Sequence, residues 1–190
     1  MRKTRIMIVV LAMGILGIAA AGAQDTNPPM TKIEIFEAQT GIVIVRGSVL
    51  IDTMSGQNGS VSVTAKESLE PGGKRKVYGI EVDLTEDGRR TDATMVDYDE
   101  LGSFLSAIES IGKANHAITN LPDYDVGYTT TGWLRLVVYT SAKRPGTTQI
   151  ALQSRHTNWN QILFSSDQLA AFQNLVQQAK DKLDALREGK

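Results

Sequence analysis

The chain holds two imidazoles, His116 and His156. His156 stands in Arg155-His156-Thr157-Asn158-Trp159-Asn160, a polar stretch with an aromatic between two apolar runs, which is how a ligand-touching loop is composed. Hydrolytic acid/base chemistry would need a carboxylate beside it, and Asp123 or Asp125, flanking Tyr124, is the one to pair with His156. Such a pair is assembled by folding, and Asp123-Tyr124-Asp125 also reads as an ordinary turn. His116 falls just past a helix C-terminus, where positive charge is favourable. No Gly-x-Ser-x-Gly elbow and no His-Glu-x-x-His pair occurs, and without cysteine there is no thiolate ligand or nucleophile. Neither a metal nor a cofactor is expected. Gly72-Gly73-Lys74 is a turn, too short for a phosphate loop.

The densest acidic cluster is Asp97, Asp99 and Glu100. No Asp-x-Asp-x-Asp-Gly loop surrounds it, so calcium is not indicated. Asp97 with Glu100 three residues later is the pattern of a capping box, and Asp99 suits the positive end of the same helix. Basic residues gather at Lys74-Arg75-Lys76, Arg89-Arg90 and Lys143-Arg144, all at expected hairpin ends, where solvated charge discourages edge-to-edge pairing. Lining one groove, they would serve a single-stranded nucleic acid. Trp133, Arg135, Val137 and Tyr139 alternate with Leu134, Leu136 and Val138, so one strand is expected to be apolar on both faces. Such a strand is sandwiched between layers or exposes a binding surface. The residues selected for ligand or partner contact are Trp133, Tyr139, His156 and Trp159.

These groups need elements to position them. Arg2, Lys3 and Arg5 precede an uncharged apolar run, Ile6 to Ala20, and Ala21-Gly22-Ala23 then offers small residues before Gln24. That order is the layout of a secretory signal peptide, and cleavage after Ala23 is expected. The run is shorter than the ~20 residues of a bilayer span, and no later segment is apolar enough for one, so no membrane span is expected after cleavage. Residues 1–23 contain three basic and no acidic residues, which leaves 17 basic against 21 acidic and a net charge of −4. An acidic chain is a poor match for nucleic acid or anionic lipid.

Residues 24–31 read as a disordered leader, because Pro28-Pro29 forbids helix and the neighbours are polar. From Lys32 strand patterns take over. Ile33 and Ile35 alternate with polar residues, Ile42 to Val45 is a β-branched run that resumes as the apolar Val49-Leu50-Ile51, Val61, Val63 and Ala65 alternate, and Val77 to Leu84 follows the Glu70–Lys74 turn. A short strand at Thr94–Val96 leads to a helix with Leu101, Phe104, Leu105, Ile108 and Ile111 on one stripe. Strands are then expected at 126–141, 147–154 and 160–164. A final helix at about 167–187 buries Leu169, Phe172, Val176, Ala179, Leu183 and Leu186.

A shift of 68 residues superposes the halves: Val82 and Leu84 fall on Ile150 and Leu152, Met95-Val96 on Leu163-Phe164, and Leu101, Phe104 and Ile108 on Leu169, Phe172 and Val176. Asp97/Glu100 matches Ser165/Gln168, a second capping box. The fold class expected is therefore α+β: two antiparallel sheets from an internal duplication, each repeat ending in an amphipathic helix. The first repeat would span 32–120 and the second 121–190, together one domain. Over residues 41–187 this plan resembles the Whirly and Pur-type single-stranded-DNA-binding proteins. The likeness is carried by the joints Met95-Val96-Asp97-Tyr98-Asp99-Glu100-Leu101 and Leu163-Phe164-Ser165-Ser166-Asp167-Gln168-Leu169. Those families are basic and intracellular, whereas this chain is acidic and carries an export signal, so no functional residue is transferred.

The function expected is that of an exported, non-catalytic binding module, periplasmic or secreted, whose partner is another envelope or extracellular protein. An exported hydrolase and a single-stranded nucleic-acid binder are the alternatives.

Overall fold

The structure is a computed structural model that describes residues 30–115, 117–121, 123–140, 147–154 and 160–189. It opens with a short helix, α1 (Lys32–Glu37), followed by β1 (Val45–Ser55), β2 (Gly59–Leu69), β3 (Lys76–Glu86) and β4 (Arg89–Asp97). A single 3-10 turn, Tyr98–Glu100, leads into α2 (Leu101–Gly112). The second half repeats the order with β5 (Asp125–Thr129), β6 (Leu134–Thr140), β7 (Thr148–Ser154), β8 (Asn160–Phe164) and α3 (Ser166–Arg187). Each set of four strands forms its own antiparallel sheet in sequence order. The fold is α+β with two repeated sheets.

Four local expectations are corrected. Ile33 and Ile35 lie in α1, not in a strand, because Thr31 and Glu34 form a capping box that starts a helix there. Its buried residues are Ile33 and Phe36, a helical spacing, while Ile35 is exposed. β1 begins only at Val45 and runs through Gly47 without a break. β4 is longer than the Thr94–Val96 core that betrayed it, since its polar first half also pairs with β3. The segment 126–141 is two strands, not one. Thr130 to Trp133 turns the chain back, with Trp133 N–H donating to the Thr130 carbonyl at 2.9 Å and Trp133 at φ 68°. An aromatic residue rarely occupies that left-handed region, so apolar continuity concealed the turn.

The halves do not superpose with one constant shift. Val96 and Phe164 are 68 apart, yet their ladder partners Ile80 and Ile150 are 70 apart. β3 returns into β4 through the tight Asp87-Gly88 turn, whereas β7 and β8 are joined by the longer segment 155–159. The slip is an even number, so the inward faces are preserved: Ile80, Val82 and Leu84 in one sheet, Leu152 and Ile150 in the other.

One hydrophobic core draws on both sheets and both long helices. Its geometry is an exchange. α3, from the second half, lies across β1, β2 and β3, while α2, from the first half, lies on β5 and β6. Phe104 and Phe172 are fully buried and meet edge to face at 6.1 Å, with Phe164 5.6 Å from Phe172 and Tyr128 6.0 Å from Phe104. The expected stripes through Leu101/Phe104 and Leu169/Phe172 are indeed the buried ones. Leu186 is the exception: it sits at the rim and is exposed.

The hairpin turns are exchanged as well. The turn between β1 and β2 reaches the outer edge of β8, where Gln57 N–H donates to the Leu163 carbonyl at 2.8 Å. Asn58 acts there as a one-residue strand, accepting from Leu163 N–H at 2.8 Å and donating to the Gln161 carbonyl at 2.9 Å. The turn between β5 and β6 in its turn abuts β4, so closely that a Cβ on Gly132 would lie 2.1 Å from the Met95 carbonyl oxygen. The edge strands β8 and β4 are thereby each met by a turn from the other half.

Candidate functional site

The acidic cluster 97–100 is a junction of three elements. Asp97, 6% exposed, accepts from Lys32 N–H at 2.8 Å and Ile33 N–H at 3.2 Å, so its carboxylate caps α1 from sixty-odd residues away. It makes no side-chain cap bond to the helical segment that follows it. Glu100 accepts from Thr131 N–H at 3.0 Å, in the β5–β6 turn. The expected Asp97/Glu100 capping box is therefore not formed, because each carboxylate is taken by a partner that the sequence places far away. Ser165/Gln168, by contrast, is a complete capping box.

Electrostatics at this junction follow from burial and pairing. Burial raises the Glu100 carboxyl above the ordinary carboxylate range, partly offset by the Thr131 N–H. The Lys32 ammonium hydrogen-bonds Asp99 and lowers its carboxyl, while Asp99 raises Lys32. That pair is well exposed on both sides, so it adds little stability. Beside it lies an open depression of about 490 Å³ lined by Met30, Lys32, Asp97, Asp99, Glu100, Ser103 and Thr131. Two of its carboxylates already serve backbone N–H groups and the third a lysine. Among the described residues no cluster of acidic or histidine side chains has metal-binding geometry.

The second candidate is the outer face of the second sheet. Alternation in β6 sends Leu134, Leu136 and Val138 into the core and leaves Arg135, Val137 and Tyr139 on the opposite face. The matching outer face of the first sheet is covered by α1, which packs on β2, β3 and β4. On the second sheet α2 and α3 both occupy the core side, and among the described residues no helix lies on the outer face, although its central Val137 and Ala151 are buried. A depression of about 300 Å³ lies there, lined by Asp125, Arg135, Val137, Tyr139 and Gln153. Arg135 pairs with Asp125 at 2.8 Å, and Gln153 donates to Gln161 Oε1 at 3.2 Å while its own Oε1 is buried with no partner among the described residues. The floor thus combines a phenol ring, a guanidinium–carboxylate pair and amides, a set that offers both donors and acceptors over an apolar base.

Of the residues selected from sequence, Tyr139 lies on this face. Trp133 does not share it: it ends the β5–β6 turn, six residues from Tyr139 and at the opposite end of β6. His156 and Trp159 lie outside the described residues, as does His116. Asp125, one half of the acid/base pair considered, is held by Arg135, and Thr140 Oγ1 lies 3.4 Å from Asp123. Of the basic loop tips, Arg75 pairs with Glu70 and stacks over Phe36 at 5.4 Å, and Lys76 lies 3.9 Å from Glu67; Lys143-Arg144 is outside the described residues. Sequence alternation placed Arg135 with Tyr139 but missed Asp125 and Gln153 as their neighbours. Only the strand register, Asp125 opposite Tyr139 and Arg135 opposite Gln153, could have assembled them.

Among the described residues no helix is long and apolar enough to cross a membrane. No protein-family model, no curated protein and no solved structure matches the chain, so the site is read from its own residues.

Proposed function

We propose that the chain is an exported, non-catalytic binding module of the cell envelope or extracellular space, and that its contact surface is the outer face of the second sheet around Tyr139. The observation that supports this reading is the asymmetry of two otherwise repeated sheets: α1 packs on one outer face, whereas among the described residues no helix packs on the other, where the buried centre, Val137 and Ala151, is flanked by a polar and aromatic depression. A structural face would be closed by apolar packing, as Ile33 and Phe36 close the first. Here the exposed groups are instead directional hydrogen-bonding ones, which suit recognition better than stability. Export rests on the basic, apolar and small-residue order of residues 1–23.

The test is affinity capture from envelope extracts with the unmodified chain, Tyr139→Ala and Arg135→Ala. Each side chain is only partly buried, so the fold is expected to persist. A partner lost from both variants but retained by a control change on α3, such as Gln178→Ala, supports the assignment. A partner retained by both variants rejects this face as the contact surface.

A further inference from the structure

We infer that β1 is a self-association edge, along which a second copy of the chain pairs antiparallel about Gly47 to continue the first sheet. The inference is independent of the Tyr139 face. β1 is an outermost strand of eleven residues, hydrogen-bonded to β2 on one side only. The edges of β8 and β4 are met by exchanged turns, whereas no described strand or turn pairs with the outer side of β1 between Val45 and Leu50, the tie from Gln168 falling at its far end on the Ser55 carbonyl; β5, the other outer strand, has only five residues.

This edge is apolar to a degree that edges seldom are. Val43, Val45, Val49 and Leu50 are 68, 47, 41 and 58% exposed, with Ile42 beside them and Leu186 of α3 at the rim. Natural edges are protected by proline, lysine or a bulge. The stretch from Ile42 to Leu50 contains neither proline nor lysine, and its one charge, Arg46, is turned toward Glu37 at 3.1 Å. The ladder breaks only between Leu50 and Asp52, which confines regular pairing to the residues before it.

The sequence of that stretch selects both the occupant and the register. In an antiparallel pair of identical strands, residues of the same parity face each other. Centred on Gly47, Val45 opposes Val49, Ile44 opposes Leu50, and Arg46 opposes Ser48. Centred one residue earlier, two Arg46 guanidiniums would be directly opposed, which is unfavourable. Centred one residue later, Arg46 would oppose Leu50. The Gly47 register alone of these three matches apolar with apolar and keeps like charges apart, which a chance partner strand would have no reason to do.

The relief of the surface fits the same register. A cleft of about 210 Å³ lies between β1 and α3, lined by Gly47, Ser48, Val49, Ala65, Glu67, Lys182 and Leu186. A Cβ on Gly47 would meet nothing within 4 Å, so the missing side chain leaves this space open. Val45 of the second copy lies opposite Val49 and diagonal to Gly47 on the same face, and it fills the cleft beside Leu186.

The chain has no cysteine, so one introduced thiol reports the register without interference. Light scattering of the purified unmodified protein at tens of micromolar is expected to give twice the monomer mass. Val49→Lys, and Leu50→Lys as a second variant should the first fail to fold, are expected to restore the monomer with an unchanged circular-dichroism spectrum. Gly47→Cys is expected to form a reducible covalent dimer on mild oxidation, at least tenfold faster than Ser48→Cys, whose thiol would face Arg46. A monomer at every concentration tested overturns the inference. So does a dimer that survives both lysine variants, or one that Ser48→Cys links as readily as Gly47→Cys.

Discussion

Where β8 passes into α3, the chain caps its own helix: Ser165 accepts from Gln168 N–H at 3.2 Å, and the Gln168 side chain returns to Ser165 N–H at 2.8 Å. The equivalent passage from β4 into α2 does nothing of the kind. Asp97 serves α1, Tyr98 donates to Asp184 and lies under the Arg187 guanidinium at 4.0 Å, Asp99 meets Lys32, and Glu100 holds the β5–β6 turn. One joint caps its helix locally, its long-range ties running from Gln168 to the Ser55 carbonyl at 2.9 Å and from the Leu163 backbone to Gln57 and Asn58. The other has become the place where α1, α3 and the second sheet are fastened to the first. Two copies of one pattern have thus diverged in what their polar residues do while keeping the same apolar stripe. Packing constrains a buried ring to one position, but a carboxylate at a helix start can serve any N–H that folding brings near it.

The comparison can be broken most forcefully at the shared stripe. Phe104→Ala and Phe172→Ala should each cost about 3–5 kcal/mol, read from urea unfolding, because both rings are fully buried. Since the rings touch, the double variant should lose less than the sum of the two. Strict additivity would mean that the halves are energetically separate.

Next comes the exchange of cap residues. Asp97→Ser should lose about 1.5–3 kcal/mol, since a serine cannot reach two distant N–H groups as a carboxylate does. Ser165→Asp should stay within about 0.5 kcal/mol, because aspartate caps a helix as well as serine. Equal losses at both positions would abolish the distinction between the joints. Ser165→Ala is the smaller test, at about 1 kcal/mol, checked by thermal unfolding.

The finest test is pH. Glu100 has a folded carboxyl raised above its unfolded value, so the stability tied to its proton is present below the unfolded pKa and is lost as pH rises through the folded one. Glu100→Gln keeps an acceptor for Thr131 without the charge. From about pH 4 to about pH 7, the melting temperature of the glutamine variant should therefore gain on that of the unmodified chain. Asp99 and Asp184, both lowered by neighbouring lysines, act with the opposite sign, their contribution being lost on acidification. A difference between the two chains that stays flat with pH would show that Glu100 is not held by its burial.

Several elements were legible because a local rule was enough. β2, β3, α2 and α3 announce themselves by period, and the Ser165/Gln168 box marks the start of α3. The failures share a cause. α1 was misread because two isoleucines at alternate positions satisfy a strand pattern as well as a helix of six residues, and only the Thr31 cap decides between them. The turn at Thr130–Trp133 was misread because its glycine is demanded by the Met95 carbonyl, a neighbour that no local pattern reveals. The face around Tyr139 was half visible: alternation placed Tyr139 with Arg135 and Val137, while Asp125 and Gln153 arrive from neighbouring strands.

The sequence by itself determined the alternation of strand and helix, the parity that keeps each sheet's apolar face inward, and the buried rings, because these depend on residues a few positions apart. Tertiary structure alone decided that each helix lies on the other half's sheet, that Asp97 caps α1, and that α1 packs on the outer face of one sheet and not of the other. Those outcomes turn on which surfaces meet across the chain, and hydrophobic burial, having no direction of its own, leaves that choice to the geometry of the whole.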